Sequence, residues 1–392
     1  MIKMFSAFTE EIDDVDAAVA EILNQVNADK SLMKNSIGIL HCYHEYVDNG
    51  VFKAISEKLP FDIIGIAIPY IRMPGRAGFM GCMLNVLTSD DVTFVSGATD
   101  IIDVGGANLT QVTEKMCKEV SAKLGDKKPS MLIAYGPFVH MLRINGDDYV
   151  NSINACFPGV PTFGSLAFSE VADYSKSYFL YNGEGFEKAA GVIAISGNIN
   201  PSFLTVSVLP ENILGELATV TKSTGNIVNE INGMSFEDYV ISIDLIEEKG
   251  ELMNLYSTPI VAKLDDGSTI IRACIGDDGQ GGAIVGGHVP VGAKVSFTML
   301  ELSDIKAISE KIAKETLEVF DGRCVMIYSC LARLEFLGLN QREVEADIIC
   351  NVFGDKVNFF MSYSGGEIFP HKLPDGKYTN NLQNFSIVIC ML

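Results

Sequence analysis

The chain has 392 residues, 48% hydrophobic and 20% charged, enough apolar material for two substantial cores rather than one. Lysine and arginine number 29 against 50 aspartate and glutamate, a formal charge of -21. A chain that acidic repels phosphate backbones and anionic lipid headgroups, which argues against nucleic acid and membrane surfaces as partners.

The opening "MIKMFSAFTEEIDDVDAAVA" turns acidic before it could supply the apolar centre of a signal peptide, and no later run is long enough to cross a bilayer, so a cytoplasmic location is expected. Apolar residues recur at three- and four-residue spacing in "EEIDDVDAAVAEILNQV", "ANLTQVTEKMCKEVSAKL", "LSDIKAISEKIAKETLEVF" and "REVEADIICNVF", which predicts helices there. Short β-branched runs fill the intervals. In "IVAKLDDGSTIIRACI" two of them flank Asp266-Gly267, the signature of a hairpin. The expected class is α+β: mixed, largely antiparallel sheets with helical crossovers. The nine cysteines form no Cys-x-x-Cys pair and sit mostly inside apolar runs such as "GCMLNVL" and "SIVICML", as reduced, buried thiols do.

Three regions share an order of apolar strand, helix, second strand with a small-residue end, and third strand. The first runs from "SIGILHCYH" through a helix near Val51 to "FDIIGIAIPY" and "GFMGCMLNVL". A second runs from "SMLIAYGPF" through a helix near Asp148 to "GVPTFGSLAFSE" and "KSYFLYNGE"; the last runs from "RCVMIYSCLAR" through a helix near Glu345 to "KVNFFMSYSGGEIF" and "NFSIVICML". The Asn, Pro and Gly punctuation of "SGNINPSFLTVSVLPENILGELATV" divides the chain into domains 1–212 and 213–392. "SYSGGEIF" ends a buried strand that follows a helix, a position where ligands collect in sheets with helical crossovers.

His41 and His44 of "HCYHEY" stand an odd number apart, so on a strand they face opposite sides and cannot share one ion; no metal or cofactor is expected. "GDDGQGGAIVGGH" lacks the alternating oxygen ligands and closing glutamate of a calcium loop and reads as a hairpin with a flexible tip. "VGGANLTQVTEK" places glycines before a helix without a dinucleotide or phosphate-loop signature. In "MIYSCLARLEF", Ser329 and Cys330 fall where a strand ends and a helix begins, with Arg333 one turn on. That setting can lower a thiol pKa, and equally describes a buried cysteine at a tight strand exit.

"SCLAR" (329–333), a helix ending "NVFG", "YSGGEIFP" and "NLQNFSIVICML" resemble the C-terminal half of the FIST sensory family, through Ser329, Cys330, Arg333, Tyr363, Gly366, Glu367, Ile368 and Asn384. "VPTFGSLAFSE", "YNGEGFEKAAGVIAISG" and the acidic first helix resemble its N-terminal half. Gln383 stands where family members usually have histidine, and "GIAIPYIR" where they often have a small-residue and Gly-Glu stretch. The resemblance implies a cytoplasmic sensory protein that binds a small ligand such as an amino acid and acts in signal transduction through a separate signalling protein, since the two halves use the whole chain. It also implies that Ser329, Cys330, Arg333, Tyr363, Gly366, Glu367 and Asn384 line the ligand site. In this reading Arg333 pairs a ligand carboxylate and Glu367 an ammonium; the competing arrangement is a salt bridge between those two side chains. The rival functions are a cysteine-dependent enzyme, with Cys330 as nucleophile and His371 as base, and a non-catalytic scaffold.

Overall fold

The computed structural model describes residues 1–137, 144–170 and 175–392. The chain opens with β1 (Lys3–Thr9), α1 (Val15–Val26), β2 (Asn35–Cys42), α2 (Val51–Lys58), β3 (Ile63–Ala67), a hairpin of β4 (Ile71–Met73) and β5 (Arg76–Gly78), and β6 (Cys82–Ser89). Helix α1 starts where the Asp14 side chain accepts the Ala17 N–H, and buries Ala18, Val19, Ile22 and Val26 along one stripe. It stops at Asn27, whose left-handed backbone is a conformation asparagine tolerates better than most residues.

The same order then recurs: β7 (Thr93–Ala98), α3 (Leu109–Leu124), β8 (Met131–Gly136), α4 (Gly146–Cys156), β9 (Thr162–Leu166), the hairpin β10 (Phe179–Tyr181) and β11 (Glu184–Phe186), and β12 (Gly191–Ser196). A third unit begins with β13 (Ser202–Val206). It is interrupted by β14 (Ile213–Thr224), β15 (Ile227–Ile231), β16 (Met234–Ser235), α5 (Phe236–Ser242), β17 (Ile260–Lys263), β18 (Thr269–Arg272), β19 (Cys274–Asp277), β20 (Ala283–Val285) and β21 (Lys294–Thr298). It resumes with α6 (Leu302–Val319), β22 (Val325–Cys330), α7 (Leu331–Leu337), α8 (Val344–Phe353), β23 (Phe359–Ser364), the hairpin β24 (Glu367–Lys372) and β25 (Tyr378–Gln383), and β26 (Ile387–Met391).

The three resulting six-stranded sheets have matching orders: β1-β6-β2-β3-β10-β11, β7-β12-β8-β9-β24-β25 and β13-β26-β22-β23-β4-β5. Among the described residues, only the pairs β2/β3, β8/β9 and β22/β23 are parallel, each joined by a helical crossover; the other pairings are antiparallel. Every unit lends its hairpin to a neighbour's sheet. The hairpin of the first unit extends the third sheet, that of the second extends the first, and that of the third extends the second. "KSYFLYNGE" is therefore not the third strand of its own module. That strand is β12, and β10–β11 pairs with β3 because the exposed edge of β3 needs a hydrogen-bonding partner.

Each sheet is buried on both faces, which is why its strands read as continuous apolar runs. The inner faces share one core, to which Ile39, Ile133 and Met326 contribute from equivalent strands. On the outer faces, separate clusters lie under α1 and α2, α3 and α4, and α6 and α8. The registers His41↔Ile66, Tyr135↔Ser165 and Tyr328↔Ser362 make His41, Tyr135 and Tyr328 counterparts. Their rings meet pairwise at 5.9, 5.6 and 6.3 Å between centroids, as residues on a pseudo-threefold axis must. The insertion, 213–298, folds as a separate sheet with its own core around Phe236, Val240, Ala262 and Phe297. Position 212 thus marks entry into this inserted sheet, while hydrogen bonds cross it elsewhere, between β13 and β26 and between β9 and β24. The Asp266-Gly267 hairpin forms as β17–β18, with Gly267 at φ 86°.

Candidate functional site

Because side chains alternate along a strand, the predicted site residues divide between outer and inner faces, Ser329, Cys330 and Tyr363 on the third sheet and Glu367 on β24 of the second. Ser329 and Tyr363, paired in register, turn outward beneath the helices. There Ser329 Oγ donates to Glu345 Oε1 at 2.5 Å, and Arg333 Nε donates to Glu345 Oε2 at 2.8 Å while Nη2 contacts the same oxygen. Ser309 Oγ of α6 adds a further hydrogen bond at 3.1 Å. Arg333 and Glu345 are both 0% exposed. The partner of Arg333 is thus Glu345, not Glu367, and its Nη1 has no hydrogen-bond partner. Glu345 was legible only as one acid in a predicted acidic helix; its partners come from α6, α7 and β22.

Cys330 and Glu367 turn inward, toward the axis. Glu367 Oε1 accepts from Ser364 Oγ at 3.1 Å and Oε2 from Ser386 Oγ at 2.6 Å. Burial pushes the carboxyl up from 4.5 to about 8, against the opposing pull of the two serines and of Arg333. Glu367 therefore carries its proton at neutral pH. Beside it the Cys330 thiol is pushed well up, by burial first and then by the Glu367 charge, the reverse of an activated nucleophile. His371 lies four residues along β24, about 13 Å of extended strand from Glu367. It is turned to Gln383, whose Nε2 donates to His371 Nε2 at 2.9 Å. The structure does not join His371 to Cys330.

Gly366 and Asn384 complete the inward group. The Asn384 side chain lies between Gly366 and Gly286 of the inserted sheet, and a Cβ at Gly286 would run into it. Asn384 Oδ1, Ser165 Oγ and Ser362 Oγ are buried without hydrogen-bond partners. Ser165 is the cross-strand neighbour of Glu367. His41 sits at the axis, held neutral by burial, which lowers it to about 3, whereas His44 Nδ1 meets Asp48 Oδ2 at 3.2 Å on the outside. The two histidines therefore do not converge.

The repeat supplies an internal control. Register matching places Phe179 and Ile71 at the positions equivalent to Glu367. At the positions equivalent to Ser386 stand Ala189 and Gly81, and at those equivalent to Ser364, Ala167 and Ile68. At the other two junctions these three positions carry no polar side chain, with Phe179, Ala167, Ala189, Ile68 and Ile71 in the common core, and the polar group nearest by register is Ser362 opposite Ile71. The third encloses a carboxyl, two hydroxyls and a thiol. The fold itself has no need of that polarity.

Three repeated units that exchange hairpins, with an inserted sheet in the last of them and a carboxyl at one junction, define the architecture. The FIST N domain profile matches residues 36–234 and the FIST C domain profile residues 236–370, and the chain belongs to the FIST family. FIST domains are associated with small-ligand sensing in signal transduction. Comparison with curated proteins gives no match. Among solved structures, the crystal structure of cyanuric acid hydrolase from A. caulinodans is similar at TM-score 0.41 and 8% identity, over 100% of this chain and 98% of that one; a likeness that slight carries no functional argument. Among the described residues no helix is long and apolar enough to cross a membrane.

Proposed function

We propose that this chain senses a small, amino-acid-like ligand at the polar junction around Glu367 and acts through a separate signalling protein in the cytoplasm. The observation that carries the reading is the contrast among the three junctions: a buried carboxyl with its two serines occurs where both equivalents carry no polar side chain, and burying such groups is costly even when they are partly hydrogen-bonded. Glu367 can donate a hydrogen bond while protonated, or release its proton to pair with an ammonium group. Asn384 Oδ1 and Ser165 Oγ stand ready as further partners.

The test is a thermal-shift screen of the full chain against the twenty amino acids, since a ligand that binds only the native state raises the melting point by mass action. At least one should raise it, and the rise should vanish in Glu367→Gln and Ser386→Ala. A panel without any shift, or a shift unchanged in both variants, would overturn the proposal.

A further inference from the structure

The groups around Glu367 are buried, so anything that binds there needs a way in. The inserted sheet covers them. Its β18 lies along the end of β25: Gln383 Oε1 accepts from the Ile271 N–H at 2.9 Å, and the Asn384 N–H donates to Ile271 O at 3.1 Å. Phe385, in one apolar cluster with Val261 and Ile271, directly precedes Ser386, whose carbonyl accepts the Cys330 N–H at 2.9 Å.

One ion pair pins this edge down. Arg272, 1% exposed, reaches out of the insertion to Asp147 at the start of α4, with Nη2 to Oδ1 at 2.8 Å. The His288 N–H donates to the other oxygen of Asp147 at 2.7 Å, and Arg272 Nη1 donates to Leu382 O at 2.8 Å. A charge pair of this kind is held by its partners and loses its footing when one is removed.

The tether lies two strands in from that edge, at β21 and β14 in the middle of the inserted sheet. The chain enters and leaves the insertion side by side, with Ile213 opposite Thr298 and the Met299 N–H bonded to Asn212 O at 3.0 Å. The insertion also has its own core. A body with its own core, tethered at two of its central strands and otherwise meeting the rest of the protein through these hydrogen bonds and one apolar cluster, in which Val261 and Ile271 join Ile305, Leu337 and Phe385, can move as a unit once those contacts are released.

We propose that the inserted sheet, 213–298, is a gate over the Glu367 junction, hinged where β14 and β21 join the core and latched by Arg272 on Asp147 and by Gln383 on β18. The proposal rests on the reading of that junction as the ligand site, but its test needs no ligand. Cysteines report the motion: Cys330 lies under the gate, Cys274 within the inserted sheet's own core, and Cys390 in the core shared by the three sheets.

The full-length protein, its Asp147→Asn variant and its Gln383→Leu variant are treated with N-ethylmaleimide at pH 8, and each cysteine's labelling rate is read by peptide mass spectrometry. Opening of the latch should raise Cys330 labelling tenfold or more in either variant while Cys274 and Cys390 keep their native rates. An unchanged Cys330 rate in both variants would overturn the gate, as would a rise shared by Cys274 or Cys390, which would report unfolding. An amino-acid screen without a hit bears on the ligand reading alone, and a negative labelling result leaves that reading standing with another route of entry.

Discussion

Replacing Glu367 with glutamine should stabilise the protein progressively as pH rises. The carboxyl faces Ser364, Ser386, the Cys330 thiol and the Arg333 charge in a fully buried setting, and burial outweighs their help, moving it from 4.5 to about 8. In the unfolded chain it ionises near its ordinary value; in the folded protein it keeps its proton until about pH 8. Between those limits folding takes up a proton, so the wild type loses about 1.4 kcal/mol per pH unit from this group alone. The contribution is complete below 4.5 and gone above 8, a total of roughly 5 kcal/mol. Glutamine does not titrate. The variant's stability minus that of the wild type should therefore rise by about 4 kcal/mol from pH 5 to pH 8, whatever constant offset the changed hydrogen bonds introduce. The self-repulsion of this acidic chain affects both proteins and cancels. Urea unfolding of the two at pH 5, 6, 7 and 8 gives the difference directly. Parallel stability curves would refute the reasoning, because they would mean that Glu367 is ionised in the native protein and paired with a charge.

Arg333→Met or Glu345→Leu alone should cost about 3–5 kcal/mol, since each leaves a buried charge without its partner, whereas the double variant Arg333→Met/Glu345→Leu should recover most of that loss; denaturant melts of the four proteins form the cycle. Tyr328→Phe should cost about 1–2 kcal/mol by removing the hydroxyl that meets Tyr135 at 2.5 Å, and the same melts will read it. Gly164→Ala should prevent soluble expression, because a Cβ there would run into the backbone carbonyl of Ala134 in the adjoining parallel strand. Gly105→Ala is the comparison: at φ 85° with open space around it, it should cost only about 1–2 kcal/mol.

Much of the architecture was readable because it follows from local patterns. The three- and four-residue spacing in 15–26, 109–124 and 302–319 marked amphipathic helices, and Asp266-Gly267 marked its hairpin, since these signals depend only on neighbours in the chain. The strand-helix-strand repeat was visible too, as each unit keeps its own parallel pair. Destinations were not. "KSYFLYNGE" looks like a strand closing its own module, yet edge pairing sends it to the first sheet, and nothing within the segment records which edge is vacant. The site divides in the same way. Cys330, Glu367, Gly366 and Asn384 could be picked out from the sequence, and the structure brings them together, but Ser386, Ser364 and Ser165 carry no signal until three sheets converge.

By itself, the sequence determined the class of fold, the elements and the acidic character of the chain, because propensity, periodicity and charge are properties of contiguous residues. Only the tertiary structure decided that Arg333 answers to Glu345, that Glu367 holds its proton and that the insertion lies across the polar junction. Those outcomes depend on burial and on partners brought from distant parts of the chain, and desolvation acts only where the folded protein excludes water.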